Sequence, residues 1–216
     1  FPELAAAQPE AVAQADRVAN PGCYATGAIA LLRPLVDAGL VPPDFPLALP
    51  SVSGYSGGGR TMIEAYEAGT APLFETYALG LQHKHLPEMQ SIAGLTYPPA
   101  FSPILGDMYQ GMATSVLLHN RLLRGTPGAA EICELLAGYY DGNALLRVRP
   151  FGTEPPRLSA GTMAGLDTLE LVVTGHEEQT MLTAVFDNLG KGASGAAVQN
   201  MNLMLGFPET AGLAME

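Results

Sequence analysis

The hydrophobic positions of this chain follow a helical spacing in some segments and a strand-like pattern in others. Helical spacing predicts helices over residues 5–17, 23–39, 61–68, 87–93, 127–140 and 192–205. Short runs rich in Val, Thr and Leu predict strands at residues 47–52, 112–119, 145–148, 168–174 and 181–186, and residues 77–80 are predicted as a brief strand or an extended piece. The proline-rich residues 96–107 are predicted to form a loop. Because helices and strands do not alternate regularly, the predicted fold class is α+β, with a mixed sheet covered by helices.

The composition indicates a globular protein of 216 residues, with 48% hydrophobic and 14% charged residues. No apolar run is long enough to span a bilayer, and no signal peptide is visible. Two cysteines make no disulfide framework, which predicts a cytoplasmic location. The chain opens at Phe1 rather than at a methionine, which suggests that it does not begin at a native N-terminus.

The net charge of −11 argues against partners such as nucleic acid or an anionic membrane. It also makes the few cations more informative. The chain has only two lysines, Lys84 and Lys191, and each falls inside one of the motifs described below. An acidic chain that binds an anionic small molecule needs such local positive groups.

Cys23 stands where a tight Pro-Gly turn meets an apolar helical run. Near the first free N–H groups of a helix, a thiol is expected to have a lowered pKa and to act as a nucleophile. The alternative is a small residue buried in a turn, and on this position alone the two interpretations are nearly balanced. Cys133 lies in an amphipathic helical segment, where we predict core packing.

His83, Lys84 and His85 form a second cluster, followed by Glu88. Two histidines at positions i and i+2 of an extended segment can point to the same side, where a neutral imidazole can transfer protons near pH 7. Glu88 is a candidate for orienting one ring. A solvated loop is an equal alternative, and a metal site is less favoured because a third ligand is not evident. No metal site is predicted.

Two glycine-rich segments complete the candidate chemistry. Residues 53–60 read Ser-Gly-Tyr-Ser-Gly-Gly-Gly-Arg, in which backbone N–H groups can approach an anion and Arg60 can clamp a phosphate or carboxylate. The alternative is a flexible surface loop. Residues 187–195 read Asp-Asn-Leu-Gly-Lys-Gly-Ala-Ser-Gly, which leaves a helix start with little side-chain bulk. A flat ring or another helix can approach such a surface.

Four segments together resemble the N-acetyl-gamma-glutamyl-phosphate reductase family, in its shorter second type, within the aspartate-semialdehyde dehydrogenase superfamily. They are Asn-Pro-Gly-Cys-Tyr-Ala-Thr-Gly at 20–27, the glycine loop at 53–60, His-Lys-His-Leu-Pro-Glu at 83–88 and the turn at 187–195. They occur in the order typical of the family and span almost the whole chain.

The resemblance implies an NADPH-dependent reduction of an acyl phosphate to an aldehyde through a thioacyl group on Cys23. It implies His83, with His85 as second choice, as the acid–base residue. The remaining implied residues fall into two groups. The substrate-binding group is Ser53, Gly54, Tyr55, Arg60 and Glu88, and the cofactor-binding group is Asn188 and Gly192. The implied fold is the C-terminal catalytic and dimerisation domain of the glyceraldehyde-3-phosphate dehydrogenase type, in a homo-oligomer.

The sequence departs from the family at its start. No G-x-G-x-x-G fingerprint and no P-loop are present, so most of the N-terminal Rossmann domain is expected to be missing. We predict that residues 1–19 are a remnant of that domain, residues 20–187 the catalytic and dimerisation domain, and residues 188–216 a returning helix. NADP binding and turnover by this chain alone are expected to be weak. Two alternatives are a Cys-His hydrolase or transferase without nicotinamide, and a non-catalytic interaction domain.

Overall fold

The computed structural model describes all of residues 1–216, which form six α-helices and seven strands. The helices are α1 (Gln8–Ala13), α2 (Cys23–Asp37), α3 (Arg60–Glu67), α4 (Leu86–Ala93), α5 (Ala129–Tyr139) and α6 (Gly195–Leu205). The strands are β1 (Ala48–Gly54), β2 (Phe74–Thr76), β3 (Ala100–Gly106), β4 (Met112–His119), β5 (Leu146–Val148), β6 (Leu169–Gly175) and β7 (Gln179–Phe186). No helix is both long enough and apolar enough to cross a membrane.

All seven strands belong to one mixed sheet, in the order β2-β3-β1-β4-β7-β6-β5. The pairs β1–β3 and β5–β6 are parallel, and the other four pairs are antiparallel. The predicted α+β class with a mixed sheet is therefore confirmed. The strand predicted at residues 112–119 is β4, whose buried and exposed positions alternate in the manner of a sheet with one covered face.

The prediction of a loop over residues 96–107 is wrong, because residues 100–106 form β3. The sheet overrides the local proline signal: β3 pairs in parallel with β1 along its whole length, from Ala100 to Gly106. Pro103 is tolerated because β2 pairs only with residues 104–106, so little of the ladder on that side is lost. The carbonyl of Pro103 still accepts the N–H of Tyr77 at 3.2 Å.

The strand predicted at residues 77–80 is also displaced. The observed strand β2 ends at Thr76, and the following residues leave the sheet. Ala78 and Leu81 adopt φ values of 53° and 54°, which belong to the left-handed region and cannot continue a strand. The chain therefore turns away from the sheet edge before it reaches His83.

Helix α2 is the centre of the core, since almost every residue from Tyr24 to Leu35 is buried. It packs against α4, α5, β4 and β7, and it continues through Pro34 to Asp37. The opposite face of the sheet is more open. On that face Leu117 and Met181 form a cross-strand pair and are 55% and 39% exposed.

The first and last segments of the chain pack against each other. Helix α1 contacts α6, and the buried side chains of Glu3 and Lys191 form an ion pair. The division into residues 1–19, 20–187 and 188–216 stays a prediction. What the fold establishes is that residues near both ends meet at the turn that precedes α6.

Candidate active site

Cys23 is the first residue of α2, and the turn before it determines its position. Gly22 caps the helix with an extended backbone, and its carbonyl accepts the N–H of Thr26 at 2.9 Å. No side chain caps this end of α2, so its first N–H groups are not taken by a capping residue. The junction of turn and helix that the sequence predicts is therefore present.

The expectation of a lowered thiol pKa is wrong for this chain. Burial raises the pKa of Cys23 above its ordinary value, and this effect exceeds the lowering by the Tyr24 backbone N–H and by the charge of Lys84. Burial thus outweighs the backbone N–H groups at the start of the helix. Cys133, by contrast, is packed into the core, and its Sγ lies 3.4 Å from the carbonyl oxygen of Arg149.

Cys23 borders a cavity of about 750 Å³, which is a usual size for a small-molecule site. All four motifs singled out in the sequence contribute to its wall. They are represented there by Cys23, by Ser53 with Gly57, Gly58 and Gly59, by His83 with His85, and by Asn188 with Gly192. The fold therefore gathers segments that are up to 170 residues apart in the sequence around one thiol.

The two histidines lie in a turn that leads into α4 rather than in an extended segment. Their ring centroids are 4.7 Å apart, and the Nδ1 of His83 accepts the backbone N–H of His85 at 3.1 Å. Since Nδ1 accepts, the proton of a neutral His83 ring is on Nε2. Burial lowers the pKa of His83, and it lowers the pKa of His85 to about 4. Both rings are therefore neutral near pH 7.

His85 packs directly against the turn that carries the cysteine. It is 8% exposed, its Nδ1 has no hydrogen-bond partner, and a Cβ added to Gly22 would overlap its ring. Glu88 lies in the first turn of α4, and it does not orient a ring. Its Oε2 accepts the backbone N–H of Gly22 at 2.7 Å. Glu88 thus fastens the cysteine turn to α4.

The glycine loop begins at the end of β1. The Oγ of Ser53 donates to the carbonyl of Gly54 at 3.1 Å, and a Cβ on Gly54 would lie 2.6 Å from the carbonyl oxygen of Tyr109. Only glycine allows this close approach. Gly59 has a φ of 76° and caps α3. The loop is therefore held by packing on one side and faces the cavity on the other.

Tyr55 and Arg60 do not reach the cavity. The Tyr55 ring stacks on Tyr66, with ring centroids 4.5 Å apart. Arg60 begins α3 and pairs with Glu64 one helical turn later, at 2.7 Å, with 91% of its side chain exposed. Its position on the outer surface of α3 explains why the predicted clamp is not formed in this structure.

Asn188 and Gly192 both line the cavity, in different ways. The Oδ1 of Asn188 accepts the N–H of Gly111 at 2.8 Å, and its Nδ2 donates to Ser56 at 2.9 Å. This buried amide therefore joins the glycine loop to the end of β7. A Cβ on Gly192 would lie 3.1 Å from the Cβ of Cys23, so the turn presses closely on the cysteine.

Many cavity residues were not assigned a site role from the sequence, and Tyr24, Tyr77 and Lys84 are the polar ones among them that bear most on the chemistry. Tyr24 and Lys84 stand next to candidate residues in the chain, and that adjacency was the available signal. The hydroxyl of Tyr24 is buried without a partner, and burial raises its pKa strongly. Tyr77 belongs to no motif. It lines the cavity because the chain turns away from the sheet after β2.

The turn over residues 190–194 is π-helical, a geometry that often marks functional sites. From this turn and the start of α6, Gly192, Ala193 and Ala197 present small side chains to the cavity. A flat ring can lie against such a surface beside Cys23. The phosphate-binding glycine fingerprint is absent from residues 1–216.

The chain is similar to named proteins over almost its whole length. Residues 23–188 match the family model of the semialdehyde dehydrogenase dimerisation domain. N-acetyl-gamma-glutamyl-phosphate reductase 2 of Pseudomonas putida is 49% identical over 95% of this chain and 68% of its own length. N-acetyl-gamma-glutamyl-phosphate reductase of Brucella ovis is 48% identical over 95% of this chain and 69% of its own length.

Solved structures share the fold. Aspartate semialdehyde dehydrogenase II of Vibrio cholerae superposes with a TM-score of 0.68 and 19% identity, and covers 95% of this chain and 67% of that one. A probable aspartate-semialdehyde dehydrogenase of Pseudomonas aeruginosa gives a TM-score of 0.63 at 20% identity, over 91% of this chain and 66% of that one. At such identities the likeness concerns the fold. The sequence relatives and the family model establish that the chain belongs to the N-acetyl-gamma-glutamyl-phosphate reductase family, within the semialdehyde dehydrogenases.

Proposed function

We propose that this chain is the catalytic part of an NADPH-dependent reductase, which converts N-acetyl-gamma-glutamyl phosphate to N-acetylglutamate semialdehyde in cytoplasmic arginine biosynthesis. One observation carries the proposal: Cys23 begins a helix at the wall of a cavity that it shares with His83 and His85. The names of the relatives support the same reaction. A hydrolase or transferase would have no use for the small-residue surface at Gly192.

In the proposed reaction the sulfur of Cys23 attacks the acyl carbon of the substrate. The bond between that carbon and the phosphate oxygen breaks, and phosphate leaves with the electron pair. Because the thiolate is the nucleophile, the thiol proton must first move to a base. Burial raises the pKa of Cys23, so this proton transfer is needed at neutral pH.

The neutral histidines of the cavity supply the proposed proton transfer. We favour His83, because its ring is the more exposed of the two, while His85 is packed against Gly22. To accept the thiol proton, His83 must give up the hydrogen bond that its Nδ1 accepts from the N–H of His85, because its Nε2 already carries a proton. The lowered pKa values of both rings keep them in the neutral form that can accept a proton. When the sulfur leaves the reduced carbon as a thiolate, the same histidine returns the proton to the sulfur.

NADPH, when bound, supplies the hydride that reduces the thioacyl carbon to the aldehyde. The chain's own contribution is a close-packed surface: Gly192 and Ala193 lie at the cavity wall beside Cys23. Asn188 holds the adjoining glycine loop through Ser56. Ser53 and the glycines after it are the proposed contacts of the substrate, since they line the same cavity as Cys23.

The experiment is an assay of NADPH consumption by the full-length protein with the acyl phosphate as substrate. We expect consumption that depends on the substrate and disappears in Cys23→Ser. Release of phosphate without consumption of NADPH would instead support the hydrolase. Comparison with NADH tests the preference for NADPH.

We also propose that the chain works as a homo-oligomer. The matching family model describes a dimerisation domain, and the open face of the sheet exposes Leu117 and Met181 side by side. A second copy would remove these side chains from water, which is favourable. Light scattering of the full-length protein measures this directly, and a monomeric mass at micromolar concentration would contradict it.

A further inference from the structure

The cavity beside Cys23 contains few charged groups. Among the residues that line it, Lys84 is the only lysine or arginine and Glu75 is the only carboxylate. The neutral histidines add no charge near pH 7. In a chain with a net charge of −11, an anion that enters this cavity therefore meets one positive side chain.

The charge of Lys84 is not taken up by a carboxylate. The five ion pairs of the structure involve Arg33, Arg60, Arg147, Arg149 and Lys191, and none involves Lys84. Its ammonium group therefore keeps its capacity for an external partner. Lysine also has a flexible stem, which lets the charge follow a ligand across the cavity.

Lys84 lines the same cavity as Cys23, His83 and His85. Its charge lowers the pKa of Cys23, and it lowers the pKa values of His83 and His85 as well. In the proposed substrate the phosphate is bonded to the carbon that Cys23 attacks. The phosphate, rather than the more distant carboxylate, must therefore lie next to the sulfur.

We propose that Lys84 binds the phosphate group of the acyl-phosphate substrate, the role that the sequence suggested for Arg60. This inference rests on the proposed function and names the residue that recognises the leaving group. Arg60 is unsuited to the role because it is exposed on α3, paired with Glu64 and outside the cavity wall. Lys84 both attracts the phosphate and neutralises charge as it leaves.

The rates of alkylation of Cys23 by iodoacetate and iodoacetamide test this charge without any reductase assay. The two reagents differ by one negative charge, so their rate ratio in the full-length protein reports the local potential at the sulfur. We expect Lys84→Gln to lower the iodoacetate-to-iodoacetamide ratio about fivefold, the effect of a partly screened ion pair. Lys84→Arg should keep the ratio, and Arg60→Gln is the matched control that should leave it unchanged.

Protection by two anions distinguishes the phosphate from the carboxylate. Inorganic phosphate should slow the alkylation of Cys23 in the unmodified protein and lose this effect in Lys84→Gln. Protection by N-acetylglutamate should be affected much less. An unchanged reagent ratio in Lys84→Gln, an equal fall in Arg60→Gln, or selective loss of protection by N-acetylglutamate would overturn the inference. Failure of the proposed function would show separately, as absence of NADPH consumption with these ratios intact.

Discussion

The backbone N–H of Gly22 donates a hydrogen bond to Oε2 of Glu88 at 2.7 Å, although the two residues are 66 positions apart. This bond joins the turn before Cys23 to the helix that follows the two histidines. It adds to the packing of α2 against α4 and of His85 against Gly22, and so helps to place the nucleophile beside its proposed proton acceptors. In the sequence, Glu88 suggested a partner for an imidazole, whereas in the structure it holds the backbone of the cysteine turn.

Replacement of Glu88 tests this placement. Glu88→Ala removes the acceptor and should lower the free energy of unfolding by about 1.5–3 kcal/mol, the range for a hydrogen bond to a charged group. The rate of alkylation of Cys23 should change with it, because the turn is no longer fixed. Glu88→Gln retains an acceptor oxygen. Its free energy of unfolding, measured by urea denaturation, should therefore lie between those of the unmodified protein and Glu88→Ala. Equal stability of all three proteins would mean that the bond is not important.

A side chain at Gly192 is expected to crowd Cys23. A Cβ there would lie 3.1 Å from the Cβ of Cys23 and 3.1 Å from the carbonyl oxygen of Asp187. Gly192→Ala should therefore cost about 1–3 kcal/mol by overpacking and should impair the reactivity of Cys23. Gly138→Ala in α5 is the control, because nothing lies within 4 Å of its Cβ position. If both variants react alike in alkylation kinetics, the close contact is not functional.

The buried ion pair between Lys191 and Glu3 should be sensitive to loss of either partner. Lys191 Nζ also meets Oε1 of Gln199, and both charged side chains are almost fully buried. Lys191→Met leaves the Glu3 carboxylate without its cation and should cost about 3–5 kcal/mol in urea denaturation. The double variant with Glu3→Gln should recover part of this loss. No recovery would show that the lysine stabilises the turn by packing alone.

His85 should make the stability depend on pH. Burial lowers its pKa from 6.5 to about 4, so the folded state binds fewer protons than the unfolded state between these values. The stability that the neutral His85 ring gives the folded state is present above pH 6.5 and is lost as the pH falls toward 4. His85→Gln should reduce the fall in stability between pH 7 and pH 4.5 by about 2 kcal/mol. The urea midpoints of both proteins at the two pH values measure this difference. An equal fall in stability in both proteins would contradict the prediction.

Local sequence signals predicted much of the fold, and tertiary contacts explain where they failed. The strand over residues 112–119 was readable from its alternation, and its boundaries agree with β4. Strand β3 was missed because Pro98, Pro99 and Pro103 indicate a loop locally, while pairing with β1 decides the outcome. Such pairing between distant segments cannot be read from one window of sequence.

In the candidate site, too, the sequence predicted what depends on local residues and missed what depends on tertiary contacts. Its four motifs carry recognisable residue types, and the cavity brings members of each together. The failure at Arg60 comes from geometry: α3 begins at this residue, so its side chain follows the helix surface to Glu64. The raised pKa of Cys23 comes from burial by residues far away in the chain, which the helix start alone does not reveal.

The most direct test of this account is detection of the thioacyl group itself. The full-length protein is mixed with N-acetyl-gamma-glutamyl phosphate without NADPH, quenched in acid, digested and examined by mass spectrometry. We expect a thioester on the peptide that contains Cys23, with one phosphate released per adduct and none in Cys23→Ser. An adduct on Cys133, or reduction of the substrate by Cys23→Ser at the normal rate, would contradict it.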